Sequence, residues 1–427
     1  MAMREITLAK AVSEAIAEEM RRDPTVFVMG EDVAEAGHPF KTLAGLVQEF
    51  GVERIVDTPI SEPGFMGIAV GAAMTGSRPI VDLMFGDFLF LAMDQLCNQA
   101  AKTHYMSGGK LKAPLVLHTN LGATRRSAAQ HSQSLHALVA HIPGVKVALP
   151  SSAYEAKGLL KTAIRDDNPV VIFHDKLMYQ DKSQIPEEEY LIPFGVANVV
   201  RQGSDITIVA TSSMVQVARQ AAETLNREGI SAEVIDPRTI VPLDEETILA
   251  SVRKTGRAII VDEGHQSFGV TAEIASRINE KAFYYLDAPV RRVGAMDVPV
   301  PFSPPLEDLT VPTPKVVAEF ARLMMKGEPF HVARCDHASA RHGAKDRLDR
   351  AMAEAGGRPG EGGRRADGGR DRQGGDGGRG RRGRHLDGRI GGGGRGGSGW
   401  RGNRQNCRRL RCSGRAGCAR SSHSTGR

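Results

Sequence analysis

The sequence predicts an α/β protein with two three-layer domains, each a parallel sheet covered by helices on both faces, and a disordered Gly/Arg-rich tail. Up to about residue 330, buried strand-like runs alternate with helix-like runs, as parallel sheets with crossover helices require. A polar, proline-bearing stretch at 179–195 interrupts this alternation once. Near the end of the chain, glycine and arginine replace the periodic apolar residues. The predicted boundaries are 1–185 for the first domain, 195–327 for the second and 335–427 for the tail.

The first domain opens with an amphipathic helix, LAKAVSEAIAEEM, for which Thr7 is the predicted N-cap. Runs rich in β-branched and apolar residues follow at intervals filled by helical patterns. The predicted strands lie at 25–30, 78–85, 113–120, 145–150 and 168–173, and two of the predicted helices at 92–106 and 152–166.

The second domain repeats the alternation after residue 195. Its strand runs are again short and apolar, and its helices carry charge on one side only. The predicted strands lie at 205–212, 231–238 and 257–264, and the predicted helices at 214–229 and 270–282.

One carboxylate, Glu62, lies at the mouth of a run that is almost free of charge, DTPISEPGFMGIAVGAAM at 57–74. Tight packing of such a run would leave Glu62 poorly hydrated, and desolvation raises the pKa of a carboxyl group. A carboxyl group near neutrality can exchange a proton with a ring nitrogen at pH 7. Alternatively, Glu62 is an acid in the first turn of a helix, favoured by the helix dipole. The residues alone leave both interpretations open.

The same run and seven further stretches occur in an order that resembles a known family over residues 4–327. The family is the beta subunit of the thiamine-diphosphate-dependent, decarboxylating component of 2-oxo acid dehydrogenase complexes. The resemblance implies a transketolase-like pyrimidine-binding domain followed by a transketolase C-terminal-type domain. The further stretches are GEDV (30–33), MFGDF (84–88), DQLCNQAAKTHYMSGG (94–109), AAQHSQSLHAL (128–138), AKGLLKTAIRDDNPVV (156–171), IDPRTIVPLD (235–244) and VDEGHQSFGVTAEI (261–274).

The resemblance assigns roles to four residues near the cofactor. Glu62 bonds the pyrimidine ring of thiamine diphosphate and activates the cofactor, and Phe88 stacks on that ring. Leu91 stands at a cofactor-binding position where pyruvate-type members often have glutamine, which weakens an assignment to pyruvate. His131 becomes a proton donor or acceptor for acyl transfer. Without the family, Phe88 would be a core phenylalanine and His131 a structural histidine.

The resemblance also implies two metal ions. A potassium site, built mostly from backbone carbonyls, corresponds to Leu115, Ala163, Asp166 and Asn168, although an ordinary turn explains the same residues. The magnesium ion of this cofactor needs a Gly-Asp-Gly motif, which residues 1–334 do not contain. The magnesium is therefore expected on an alpha subunit, with the cofactor at the interface of a heterotetramer of two alpha and two beta subunits.

The predicted activity is oxidative cleavage beside a carbonyl group, with transfer of the acyl unit to lipoamide on an acyltransferase component. Pyruvate, branched-chain 2-oxo acids and acetoin are the candidate substrates, and Leu91 with the variant SQSLHAL favours an acetoin-like or broad bacterial member. A transketolase-type or synthase enzyme is the alternative, and it would carry its own Gly-Asp-Gly motif. A run of about 18 apolar residues is missing and the first helix is acidic, so we expect no membrane span and a cytoplasmic protein.

The formal net charge of +6 averages two unlike parts. Residues 335–427 hold 23 basic and 9 acidic side chains, a net charge of +14, so the remainder carries −8. An Arg/Gly-tailed nucleic-acid-binding protein is therefore a further alternative, but the acidic remainder argues against it. Reading arginine codons one base later permits Met at 337, Trp at 352 and Glu-Thr-Asp-Lys at 370–373, as in a lipoyl domain. We interpret the tail as out-of-frame translation into a neighbouring acyltransferase gene.

Overall fold

The computed structural model describes residues 2–328, so the predicted tail at 335–427 lies outside the described residues. Within this part, the helices are α1 (Leu8–Arg22), α2 (Leu46–Phe50), α3 (Glu62–Met74), α4 (Leu89–Asp94), α5 (Ala101–Met106), α6 (His136–Ala140), α7 (Ala153–Arg165), α8 (Met214–Arg227), α9 (Glu245–Thr255), α10 (Val270–Ala282), α11 (Pro304–Glu307) and α12 (Pro314–Met325). A π-helical segment, Gln95–Ala100, joins α4 to α5 where the sequence predicts one helix.

The strands are mostly short, and those predicted from apolar runs are all present. They are β1 (Met3–Thr7), β2 (Val26–Gly30), β3 (Ile55–Asp57), β4 (Arg78–Leu83), β5 (Val116–Leu121), β6 (Lys146–Ala148), β7 (Val170–Asp175), β8 (Lys182–Pro186), β9 (Asn198–Arg201), β10 (Ile206–Ala210), β11 (Ala232–Asp236), β12 (Thr239–Val241), β13 (Ala258–His265) and β14 (Arg291–Ala295).

Two largely parallel sheets organise the described chain. The first has the order β12-β6-β7-β5-β4-β2-β3 and the second the order β14-β13-β10-β11-β9. Each sheet ends in one antiparallel edge strand, β12 in the first and β9 in the second. Apolar periodicity does not encode strand direction, so the sequence does not predict these two short antiparallel edge strands. Strand β12 follows β11 of the second sheet in the chain yet extends the first, which ties the two sheets together.

A helix cap and a pair of antiparallel strands define the beginning and the end of the first domain. The hydroxyl of Thr7 accepts a hydrogen bond from the amide of Lys10 at 3.2 Å, so Thr7 caps α1 as predicted. The polar stretch at 179–195 contains β8, which pairs antiparallel with β1. Buried Tyr179 and Ile185 anchor this stretch to the first domain.

Alternating side chains of the strands point into different cores. In β7, Val170 and Ile172 pack with α1 and α7, whereas Val171 and Phe173 pack with α3. In β10, Ile208 packs with α8 and α12, while Val209 packs with α9 and α10. Both sheets are therefore covered on two faces, and the α/β fold with two parallel-containing sheets is confirmed.

One apolar core continues from the first sheet into the second, because the clusters around α3 and around α9 and α10 are contiguous. Among the described residues, no helix has the length and apolar character that crossing a membrane requires.

Candidate active site

Parallel strands bring their carboxyl ends to one edge of a sheet, where ligands commonly bind. In the first sheet, Glu31 follows β2, the turn 84–88 follows β4, and the loop 122–135 follows β5. Lys176 follows Asp175, the last residue of β7. The candidate active site lies at this edge.

Glu62 is the first residue of α3 and is only 5% exposed. The position agrees with both sequence interpretations, since a helix N-terminus favours a carboxylate and the surrounding apolar run keeps water away. A second carboxyl group, Glu31, lies nearby. Burial raises the pKa of Glu31, and the negative charge of Glu62 raises it further. The Oε1 atom of Glu31 is buried without a hydrogen-bond partner in the described chain, which marks a polar site that a bound group can satisfy.

An aromatic cluster brings two predicted site residues together. The ring of His131 meets the ring of Phe88 edge-on, with centroids 5.4 Å apart, and that of Phe85 at 4.8 Å. Phe88 is half-buried and lies just before α4. Leu91, within α4, is 53% exposed. The rings of two residues 43 positions apart are therefore in contact, while Leu91 lies on the next helix.

The loop at 122–135, which carries His131, has a strained backbone. Three non-glycine residues in it, Thr124, Arg126 and Ala128, have φ between 59° and 66°. Left-handed non-glycine residues cost free energy and persist where the surroundings impose them, often at functional sites.

Carboxylates on both domains impose this conformation on the loop. The amide of Ala123 donates to Glu263 Oε1 at 2.6 Å, and the guanidinium of Arg126 donates to buried Glu307 at 2.6 Å. The side-chain amide of Gln133 donates to Asp87 at 2.8 Å. The loop is therefore fastened at its beginning, middle and end.

A buried carboxyl pair lies under the beginning of this loop. Burial raises the pKa of Glu263 well above its usual range, and the neighbouring Asp175 raises it further. A Cβ atom on Gly122 would lie 3.1 Å from Glu263 Oε1 and 3.2 Å from Asp175 Oδ2, and its φ is +105°. Only glycine fits there, so Gly122 gives the two carboxyl groups their space.

His136, which has no role predicted from the sequence, connects the two domains. Its Nε2 lies 2.9 Å from Asp262 Oδ2, and both side chains are buried. Asp262 also accepts from the hydroxyl of Thr211 and from the amide of Gly264. Although burial favours the neutral acid, His136 and these donors hold the pKa of Asp262 below its usual value. His136 is thus part of the domain junction. The other unassigned histidine, His104, is exposed and bonds the carbonyl of Leu111.

The residues of the expected potassium site lie near two protein cations. Asp166 Oδ1 accepts from both nitrogens of Asn168, at 2.9 and 2.8 Å, and Oδ2 pairs with the ammonium of Lys146. The backbone carbonyl of Asp166 accepts from Arg78 at 2.9 Å. Positive charge is therefore already present at Asp166.

The carbonyls of Leu115 and Ala163 in that set also have partners. Leu115 O accepts from the amide of Val170 at 3.0 Å, and Ala163 O accepts from the amide of Asp166 at 3.1 Å. A carbonyl oxygen has two lone pairs, so each retains one for a further contact. Across residues 2–328, no cluster of three or more His, Cys, Asp or Glu side chains has the arrangement of a metal site.

Sequence reasoning missed Lys176, Asp175, Glu263 and Gly122. Glu263 stood inside a quoted motif, VDEGH, with no role, and the others carried no motif at all. Their signal is a strand that ends in charged residues, His174-Asp175-Lys176, which is unusual for a fully buried strand.

Comparison with known proteins agrees with this fold. The family described as the transketolase pyrimidine binding domain matches residues 4–182, and that of the transketolase C-terminal domain matches residues 195–317. The acetoin:2,6-dichlorophenolindophenol oxidoreductase subunit beta of Bacillus subtilis is 47% identical, over 76% of this chain and 98% of its own length. The pyruvate dehydrogenase E1 component subunit beta of Rickettsia felis is 50% identical, over 74% of this chain and 97% of its own.

Among solved structures, a split-gene transketolase described as an inactive beta4 tetramer superposes with a TM-score of 0.62. It is 24% identical, and the match covers 75% of this chain and 98% of that one. At this level of identity, the likeness supports the fold alone.

Proposed function

Since the chain belongs to the family of pyruvate and acetoin dehydrogenase beta subunits, we propose that it works with an alpha subunit as a thiamine-diphosphate-dependent oxidoreductase. The observation that carries the proposal is that the rings of Phe88 and His131 meet at the same sheet edge as the buried carboxyl group of Glu62 and the partly buried one of Glu31. One partly apolar wall, one titratable ring and a poorly hydrated acid suit a flat, nitrogen-containing cofactor.

The residues present fit that cofactor. When bound, thiamine diphosphate supplies a carbon nucleophile for the substrate carbonyl. Glu62 would hold a proton at a ring nitrogen, because a carboxyl group both donates and accepts. The buried Oε1 atom of Glu31, which has no hydrogen-bond partner in the described chain, supports a polar contact with the cofactor here. Phe88 would provide the ring face.

His131 is proposed as the proton donor and acceptor for the substrate. An imidazole ring can both donate and accept a proton, and a positioned acid–base group contributes about 10²–10⁴-fold to a rate. Its ring lies against Phe85 and Phe88, which leaves it beside the wall assigned to the cofactor.

Metal binding divides between the subunits in this proposal. Magnesium would be held by the alpha subunit, with the cofactor between the chains of a heterotetramer. Potassium would use the free lone pairs at Leu115, Ala163, Asp166 and Asn168. The ammonium of Lys146 beside Asp166 competes with that ion, which favours a weakly occupied site.

The proposed acceptor is the lipoamide of an acyltransferase component, and the proposed compartment is the cytoplasm. Acetoin is favoured over pyruvate as substrate, because Leu91 replaces a polar cofactor contact with an exposed apolar side chain. Pyruvate and branched-chain 2-oxo acids are the other members of the substrate panel.

Reconstitution with the alpha subunit tests the proposal. We expect the isolated chain to bind thiamine diphosphate poorly by calorimetry and to show no turnover, whereas the assembled complex reduces lipoamide. Its kcat/KM is expected to be highest with acetoin. Tight, magnesium-dependent cofactor binding by this chain alone would contradict the division of labour between subunits.

A further inference from the structure

One buried lysine, Lys176, touches both the backbone of His131 and the ring against which that histidine lies. Its side chain is 1% exposed, and its Nζ donates a hydrogen bond to the backbone carbonyl of His131. The same Nζ lies 5.6 Å from the centre of the Phe85 ring, which packs edge-on against the ring of His131 at 4.8 Å. A single cation therefore contacts two of the features that orient His131.

Lys176 also meets the loop at two earlier points. Its backbone amide donates to the carbonyl of Leu121, directly before the loop, at 3.1 Å. Its own carbonyl accepts from the guanidinium of Arg125, in the middle of the loop, at 3.2 Å. Together with the bond to His131, these contacts attach one residue at the end of β7 to the start, the middle and the end of the segment 121–131.

We propose that Lys176 is a positioning residue that holds His131 in its working orientation against Phe85 and Phe88. The inference rests on the function proposed for His131 and adds the residue through which the protein fixes it.

A comparison with other buried lysines separates this role from ordinary ion pairing. Lys157 and Lys161 are each 2% exposed, and each donates directly to the carboxylate of Glu18, at 2.6 and 2.7 Å. Among the salt bridges of residues 2–328, none contains Lys176. Its ammonium is directed to a loop carbonyl instead. Burying a cation costs free energy, and the hydrogen bond from Lys176 to the carbonyl of His131 offsets part of that cost.

Nearby carboxyl groups favour the charged form of Lys176, although none forms a salt bridge with it among the described residues. Burial lowers the pKa of Lys176, and the negative charges of Asp87, Glu263, Asp175 and Glu307 act against that shift. Three of these carboxyl groups, those of Asp87, Glu263 and Glu307, also bind the loop at other points through its amides and Arg126. The lysine thus belongs to the same framework that maintains the strained backbone of the loop.

The test uses two replacements of Lys176 in the assembled complex with the alpha subunit. Lys176→Met keeps an unbranched apolar chain, one atom shorter than that of lysine, and loses the donor. Lys176→Gln keeps a polar group that is one atom too short to reach His131, so it remains informative where methionine prevents folding. In both, kcat for acyl transfer to lipoamide is expected to fall about 10–100-fold, because small displacements of a catalytic group have effects of that size. KM is expected to stay within about threefold, as for an interaction that acts on the transition state.

A double-mutant cycle shows whether Lys176 acts through His131. The variant that combines Lys176→Met with His131→Ala is expected to turn over no more slowly than His131→Ala alone. Lys161→Met is the matched control, because it removes an equally buried ammonium on α7 and should leave kcat per assembled enzyme unchanged.

Three results are decisive. Wild-type kcat in the Lys176 variants, or multiplicative losses in the double variant, would overturn the positioning role while leaving the proposed function intact. Unchanged turnover in His131→Ala would instead refute the role proposed for His131, and the role of Lys176 with it.

Discussion

At the scale of single residues, the site depends on acids that have lost most of their water. Glu62 and Glu31 lie together, and Asp175 and Glu263 form a second pair under the loop that carries His131. Two carboxyl groups in contact favour the protonated form of one of them. Burial raises the pKa of Glu31 and raises that of Glu263 well above its usual range, and a raised pKa favours a carboxyl group that can exchange a proton with a bound ring.

Replacing Glu62 with glutamine tests the proton-holding role directly. An amide fills the same space but cannot pass a proton back and forth, so Glu62→Gln should fold and assemble while losing cofactor activation. The exchange of the reactive proton on bound thiamine diphosphate, followed by NMR, is expected to slow at least about 10²-fold. Glu31→Gln is the matched variant, since it alters the neighbouring carboxyl group and leaves Glu62 in place. Near wild-type exchange in Glu62→Gln would contradict the assignment of Glu62 as the group that activates the cofactor.

At the scale of elements, the sequence predicts the strands and helices that have a periodic apolar pattern. It does not predict contacts between residues that are distant in the sequence. Strands β2, β4, β5 and β7 follow from apolar runs, and the cap of α1 follows from Thr7. Antiparallel β9 and β12 carry no comparable signal because they are only four and three residues long. Lys176 and His131 are 45 positions apart, and only the completed sheet edge makes them neighbours.

The resemblance to a family predicted some of the site residues that periodicity alone does not indicate. It predicted that Phe88 and His131 are site residues, and in the structure their rings meet edge-on. It offered nothing for Lys176 or Gly122, because their importance lies in contacts to a loop backbone and to a buried carboxyl pair rather than in the cofactor itself.

The end of strand β11 makes a pH-dependent contribution to stability. Burial, followed by the charge of Glu155, raises the pKa of Asp236 from 3.8 to about 7. The folded state therefore binds more protons than the unfolded state between these two values. Since the free energy of unfolding then decreases as pH rises, this contribution is complete below about pH 4 and is lost as pH approaches 7. The shift corresponds to roughly 4 kcal/mol at most.

Asp236→Asn should remove this slope. Its amide oxygen can still accept from the amide of Arg238, as Asp236 does at 2.8 Å, and its amide nitrogen can donate to the hydroxyl of Ser151. Denaturant unfolding at pH 5 and pH 8 should show a smaller loss of stability in the variant than in the wild type. Glu223→Gln, the same kind of change on the exposed face of α8, serves as control. Equal losses in variant and wild type would exclude Asp236 as the source.

At the scale of the whole molecule, the two domains behave as one structural unit. A single apolar core continues from one sheet to the other, β12 crosses over to the first sheet, and His136 pairs with Asp262 between the domains. The loop that carries His131 is fastened to Glu263 and Glu307 of the second domain. Changes in the second domain should therefore alter the position of His131, even though the predicted catalytic residues all belong to the first.

The last 93 residues differ in charge from the rest of the chain, and this difference leads to a prediction about their origin. Residues 335–427 carry +14, against −8 for the rest, and helix α12 already ends at Met325. If the tail is translated out of frame, a chain truncated after residue 334 should assemble with the alpha subunit and turn over as fast as the full chain. Sequencing the locus should reveal, one base later from codon 337, a lipoyl domain with Glu-Thr-Asp-Lys at 370–373. A stop codon before 352 in that frame, or failure of the truncated chain to assemble, would show that the tail has another origin or a role of its own.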